Sequence, residues 1–374
     1  MSMIDIFSEA AQTLQNRWIK EWIKQGNKVL GYTCSYIPEE MIDALNIMPI
    51  RLRPIGVKDT GLADAFMSRL NCTYARCMLN IALENKINFL EGIVSYNSCD
   101  HVRRMYDNLN WKIKLPFYHF LSIPHHSDEE AIKWFNKEIL NFKYHLEEHF
   151  NKKIEDSELA RAIKDYNEFR ILTQQLYDLC KVEEPVITGE EVLKANLASV
   201  SMRKSQYNEY LKKFLEQCKD RSGIRGRIRL MIAGGQLDNP EYVKVIEDLG
   251  GLVVTDFNCY GTKYFTGLVK ETGEPYLELC RRYLLKIPCP RMIDENTGYN
   301  TRFDHLKRLI KEYSVDGVIL QKIYMCDFHA GENYLFNQEL DDLGVPTLNL
   351  EREYMLSGVG QLKTRVQAFM EVLT

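Results

Sequence analysis

Residues 28–40 read KVLGYTCSYIPEE. Val29 to Tyr32 form a short apolar run of the kind that makes a buried strand. Pro38 suits the first turn of a helix, where its missing N–H would be unpaired anyway. Glu39 and Glu40 favour the positive end of the helix dipole. A strand therefore passes straight into a helix. Cys34 stands at the joint, and the helix start does not account for it.

The same step recurs along the chain. A helix through NCTYARCMLNIALEN precedes the strand EGIVSY, which runs into Cys99-Asp100 and the helix HVRRMYDNL. KLPFYHFLSIP reads as a further strand. GRIRLMIAGG is a strand ending in a Gly-Gly turn, with the helix NPEYVKVIEDLGG after it. GLVVTDFNC is the next strand. The helix GEPYLELCRRYLLKI then ends at Pro288-Cys289-Pro290. After the helix RFDHLKRLIKEYS, the strand VDGVILQKIYMC runs into Cys326, VPTLNLE is the last strand, and GQLKTRVQAFMEVL closes as a helix. Alternating strands and helices mark α/β folds with parallel sheets. Between Ser127 and Arg221 the pattern changes: AIKWFNKEILNFKYHLEEHF, LARAIKDYNEFRILTQQLYDLC and NEYLKKFLEQC carry apolar residues at helical spacing. The expected organisation is an N-terminal α/β lobe with a leading amphipathic helix over 1–126, a helical region over 127–222 and a C-terminal α/β lobe over 223–374.

The chain has 374 residues, 45% apolar and 27% charged, an ordinary globular balance with room for two lobes. A net charge of −4 argues against nucleic acid held by phosphate contacts. No apolar run is long enough for a membrane span, and the first residues lack the pattern of a signal or transit peptide. The expected location is the cytoplasm, where thiols stay reduced.

Ten cysteines then need an account. Cys34, Cys99, Cys259 and Cys326 each follow an expected strand, at the sheet edge where open α/β folds bind ligands. Cys289 is fixed between prolines, and Cys72 sits at a helix start, where the dipole favours a thiolate. Cys180, Cys218 and Cys280 lie in amphipathic helices and read as small core residues, as does Cys77. The six loop or cap cysteines are spaced by 38, 27, 160, 30 and 37 residues. Structural zinc usually draws its cysteines in close pairs from one turn, whereas iron–sulfur clusters can take thiolates from scattered loops. Six thiols exceed the four of an ordinary cubane and divide as three plus three. Six unrelated buried thiols stand as the plain alternative.

GYTCSYIPEEMIDA, NCTYAR, SCDHVRRMYD, YMCDF and GQLKTRVQAF, in this order and spacing, resemble the 2-hydroxyacyl-CoA dehydratase and benzoyl-CoA reductase family nearly end to end. The resemblance implies two flavodoxin-like lobes with an iron–sulfur cluster between them, held at the positions of Cys72, Cys99 and Cys326. The added cysteines Cys34, Cys259 and Cys289 are similar to those of the double-cubane cluster branch. That similarity implies one double-cubane (8Fe-9S) cluster on all six, serving low-potential reduction of a small substrate. It also implies electrons from a separate dimeric iron–sulfur activator ATPase that handles the ATP, and a homodimer. The alternatives are a 4Fe-4S subunit of a 2-hydroxyacyl-CoA dehydratase, with Cys34, Cys259 and Cys289 as bystanders, and a zinc-stabilised two-lobed binding protein.

This chain has no GxxxxGK[ST] loop, and its Gly-Gly turn at 234–235 reads as a tight turn or an anion cradle. For proton supply, Asp100 and His329 flank cluster-position cysteines, and an imidazole titrates near neutrality. A helix-capping Asp100 and a solvated His329 are the bland readings. Tyr36 and Arg76 are candidate donors to cluster sulfur. His125-His126 and Arg281-Arg282 read as solvated surface.

Overall fold

The computed structural model describes residues 2–293, 298–356 and 358–374. Two four-stranded, wholly parallel sheets carry the fold. The first holds β1 (Val29–Tyr32), β2 (Met48–Arg51), β3 (Gly92–Tyr96) and β4 (Phe117–Leu121), in the order β2-β1-β3-β4. The second holds β5 (Ile228–Gly234), β6 (Gly251–Phe257), β7 (Gly317–Ile323) and β8 (Thr347–Arg352), in the order β6-β5-β7-β8. Both orders are flavodoxin-like, with the direction of winding reversing beside the first strand of each sheet. Helices cover the faces, as parallel sheets require.

β2 is not evident in the sequence, because its MPIR contains a proline. It lies at the sheet edge, where a missing N–H is tolerated. Arg51 ends this strand, opposite Tyr32 of β1. The helix Gly189–Ser199 was also not expected, although Thr188 and Glu191 form its capping box. The leading amphipathic stretch is two helices, Met3–Gln12 and Arg17–Lys24. Asn16 divides them. Its Oδ1 accepts from Ile19 N, while its Nδ2 donates to the carbonyls of Ala10 and Ser201.

The helix after Cys34 spans Glu39–Ala44, with Pro38 at its cap. Both glutamates are buried. Glu39 accepts from Tyr264 Oη at 2.7 Å and pairs with Lys204 Nζ at 3.1 Å. Glu40 pairs with Arg170 at 2.5 Å and accepts from Tyr283 Oη at 2.7 Å. Buried carboxylates persist only with such partners, so this turn ties the first sheet to the helical region and to the second half of the chain. The helix Pro275–Leu285 deepens that tie. It packs on the helix Glu129–Phe150, and its Cys280, Tyr283 and Leu284 join the core of the first sheet.

Candidate metal centre

Carboxyl-end loops of the two sheets meet. Arg51, at the end of β2, donates from Nη1 to the Cys259 carbonyl beyond β6 at 2.6 Å. Lys286 donates to Ser35 O at 2.6 Å and to its Oγ at 3.0 Å. The amide of Cys289 donates to Tyr36 Oη at 3.1 Å. Arg291 fastens the same loop by donating to the carbonyls of Pro124 at 2.9 Å and Ile123 at 2.8 Å, beyond β4. On the other side, Tyr354 N donates to Thr73 Oγ1 at 2.8 Å, next to Cys72.

These loops carry the six cysteines. Cys34 follows β1, Cys259 follows β6, and Cys99 and Cys326 cap the helices after β3 and β7. Cys72 caps the helix Thr73–Leu83, and its amide donates to His101 Nδ1 at 3.2 Å, joining the Cys72 and Cys99 loops. Cys72 is buried and the other five are half-buried, whereas Cys77, Cys180, Cys218 and Cys280 are fully packed away. No disulfide forms among them.

Several of the thiols raise one another's pKa. Burial pushes Cys289 up to about 12, and the neighbouring Cys259 and Cys34 add to it. Burial also raises Cys259, with Cys34 adding and Lys263 and Arg51 opposing. Burial raises Cys326 as well, with Cys72, Cys99 and then Cys259 adding. Burial and Cys99 push Cys72 up to about 12. So Cys289 feels Cys259 and Cys34, Cys72 feels Cys99, and Cys326 feels Cys72, Cys99 and Cys259. Cys34 behaves differently. Burial pushes it up too, but Arg51, a hydrogen bond with Tyr96 Oη at 3.2 Å and Lys286 outweigh that, and its pKa falls below the ordinary thiol value.

The surroundings suit an anion. Arg51 is 1% exposed and Lys286 is 4% exposed, and among the described residues neither has a carboxylate partner. Nε and Nη2 of Arg51 find no hydrogen-bond acceptor there. Buried cations left unpaired are costly, and a thiolate-held iron–sulfur cluster, being anionic, would compensate them. Metal binding would also deprotonate the raised thiols. Among the described residues no three His, Cys, Asp or Glu side chains gather tightly enough to hold a single metal ion.

The Gly-Gly turn separates the Cys259 and Cys326 loops, since β5 lies between β6 and β7. A Cβ at Gly234 would fall 1.9 Å from the Gln321 carbonyl oxygen, and one at Gly235 would fall 2.8 Å from the His329 ring. Close approach explains both glycines.

His329 is 5% exposed, not solvated. Its Nδ1 lies 3.5 Å from Glu332 Oε2, and burial holds its pKa below the ordinary histidine value. Glu332 also serves Arg302 and Lys263. Asp100 does not cap its helix. Its side chain is 86% exposed and 4.0 Å from Arg103. Tyr36 serves the Cys289 amide, and Arg76 is occupied by Asp64 at 2.8 Å. His125 donates from Nδ1 to the Arg291 carbonyl, 2.8 Å away. Arg282 is buried, not solvated, because it donates to the carbonyls of Tyr264, Thr266 and Gly267. Sequence reasoning missed Arg51, Lys286 and Tyr96. Arg51 was hidden by the proline-bearing edge strand.

Two parallel sheets of flavodoxin-like order whose carboxyl-end loops meet make this a two-lobed α/β protein. The chain belongs to the family described as 2-hydroxyglutaryl-CoA dehydratase, D-component, whose model matches residues 34–373. It is 25% identical to the beta subunit of (R)-2-hydroxyglutaryl-CoA dehydratase from Acidaminococcus fermentans, covering 93% of each chain. It is 25% identical to a subunit of benzoyl-CoA reductase from Thauera aromatica, over 87% of this chain and 85% of that one. YjiM of Escherichia coli (strain K12), provisionally named a dehydratase subunit, is 26% identical over 100% of this chain and 98% of its own. No described helix is long and apolar enough to cross a membrane.

Proposed function

We propose that this chain is a low-potential iron–sulfur reductase whose active site is a double-cubane (8Fe-9S) cluster. Its ligands are Cys34, Cys259 and Cys289 for one cubane and Cys72, Cys99 and Cys326 for the other. The observation that supports this is that six half-buried or buried thiols lie on the carboxyl-end loops of the two sheets, where those loops are bonded to one another. When bound, the cluster supplies one-electron reduction at low potential.

The chain's own residues supply the rest. Arg51 places fixed positive charge beside the first trio, and Lys286 ties its loop to Ser35. Tyr36 and Arg291 hold the Cys289 loop against the first sheet. His329 is the proposed proton carrier, moving a proton at its ring, with Glu332 Oε2 3.5 Å from Nδ1. Asp100 is the proposed solvent-facing acid beside Cys99. Electrons come singly from a separate dimeric iron–sulfur ATPase, which handles the ATP. The chain works in the cytoplasm as a homodimer on a small substrate.

The names of the relatives favour a second reading, a 4Fe-4S dehydratase or reductase subunit acting on a coenzyme A thioester. Iron and acid-labile sulfide, counted anaerobically per chain, separate the two. About eight irons supports the double cubane and about four supports the second reading. Zinc without sulfide overturns both.

A further inference from the structure

The two trios sit in unequal electrostatic surroundings. Around Cys34, Cys259 and Cys289, the guanidinium of Arg51 stacks 3.9 Å over the Tyr260 ring and donates to the Cys259 carbonyl. Its Nε and Nη2 remain without acceptors. Lys286 lies over the Tyr36 ring at 4.5 Å, among the described residues donates only to Ser35, and is held by burial well below the ordinary lysine pKa. Arg291 donates to backbone carbonyls beyond β3 and β4, the Asn97 amide oxygen and the Met292 sulfur. Among the described residues none of the three faces a carboxylate within ion-pair distance.

Among the described residues the other trio lacks such an excess. Arg76, the cation beside Cys72, is neutralised by Asp64 at 2.8 Å. Asp100, beside Cys99, brings a negative charge with Arg103 at 4.0 Å. A buried positive charge favours the more negative state of whatever it faces, and does so more strongly where water is excluded.

We propose that Arg51 is a positioning residue that makes the Cys34–Cys259–Cys289 half the easier one to reduce, so that the first arriving electron rests there. This rests on the double-cubane reading. The balance is simple: one electron enters from the external iron–sulfur donor, that half becomes one unit more negative, and Arg51 makes and breaks no bond. The Cys72–Cys99–Cys326 half is left oxidised, beside His329 and the more open acid side.

The test is an anaerobic redox titration of the purified, cluster-loaded protein followed by electron paramagnetic resonance, with iron counted in each sample. Arg51→Met is expected to keep its iron and to shift the first reduction midpoint to a more negative potential, leaving the second in place. Arg51→Lys, which keeps the charge, is expected to stay near the wild-type midpoint. An unchanged midpoint in an iron-replete Arg51→Met protein would overturn the proposal. So would equal shifts in the Met and Lys variants, which would assign Arg51 a role by shape. If Arg51→Met sheds iron, Arg51→Lys decides: full iron with a wild-type midpoint supports the charge role, and equal iron loss overturns it. A wild-type protein with about four irons would instead remove the double-cubane reading itself.

Discussion

The backbone amide of Cys289 donates to the phenol oxygen of Tyr36, 3.1 Å away, across 253 residues of chain. Cys289 belongs by sequence to the second α/β unit, yet this bond and Arg291 place its loop beside Cys34. Cys34 and Cys289 can therefore act together, although neither shares a turn with the other.

Tyr36→Phe removes the acceptor and leaves a buried amide unpaired, at a cost of about 1–3 kcal/mol. The Cys289 loop is expected to loosen without unfolding the chain. Iron release to a chelator should be several-fold faster than in the wild type, with the initial iron content retained. An unchanged release rate would mean the bond does not hold this loop.

Cys289→Ser is expected to lose roughly half the iron, while Cys280→Ser, in the core behind it, should lose none. Iron analysis of both variants checks this. Full iron in Cys289→Ser would remove it from the ligand set.

In the metal-free protein Cys34 should be alkylated first among the six. It alone combines partial exposure with a lowered pKa, whereas burial raises the others. The thiolate is the reactive form. Peptide mapping after brief iodoacetamide treatment near neutral pH reads the order directly, and faster labelling of Cys259 or Cys289 would contradict it.

Much of the fold is legible in the sequence because each βα step is local. Apolar runs end at a cysteine or glycine, and helix starts follow within a few residues. What escaped depended on context. β2 is legible only once its edge position excuses Pro49, so Arg51 stayed hidden with it. The Thr188–Glu191 capping box could have revealed the helix Gly189–Ser199. The sequence places Cys34, Cys99, Cys259 and Cys326 at one kind of sheet edge. What brings them together depends on contacts between the sheets, as between Arg51 and Cys259. Glu39 and Glu40 read as a helix start and are that, but their partners lie far along the chain.

Glu40→Gln would leave Arg170 with a buried, uncompensated charge, since the pair is 0% and 3% exposed at its side chains. Breaking such a pair costs about 3–5 kcal/mol. Denaturant unfolding should show a loss of this size, and a loss below about 1 kcal/mol would show that the pair is dispensable.

His119 is buried against Phe142, and burial followed by the adjacent His145 lowers its pKa to about 4. The folded state then resists a proton that the unfolded chain binds. The stability it contributes is present above about pH 6.5 and is lost as pH falls toward 4. Between pH 7 and 5 the loss is about 2 kcal/mol. His119→Phe should flatten the pH dependence by that amount in denaturant titrations at the two pH values, whatever its effect at neutral pH.

The central claim is that six thiols hold two cubanes, three to each. An iron anomalous map from anaerobically grown crystals tests it most directly. The account predicts about eight iron positions in two groups, one bounded by Cys34, Cys259 and Cys289 and the other by Cys72, Cys99 and Cys326. A single four-iron group on Cys72, Cys99 and Cys326, with the other three thiols free, would contradict it.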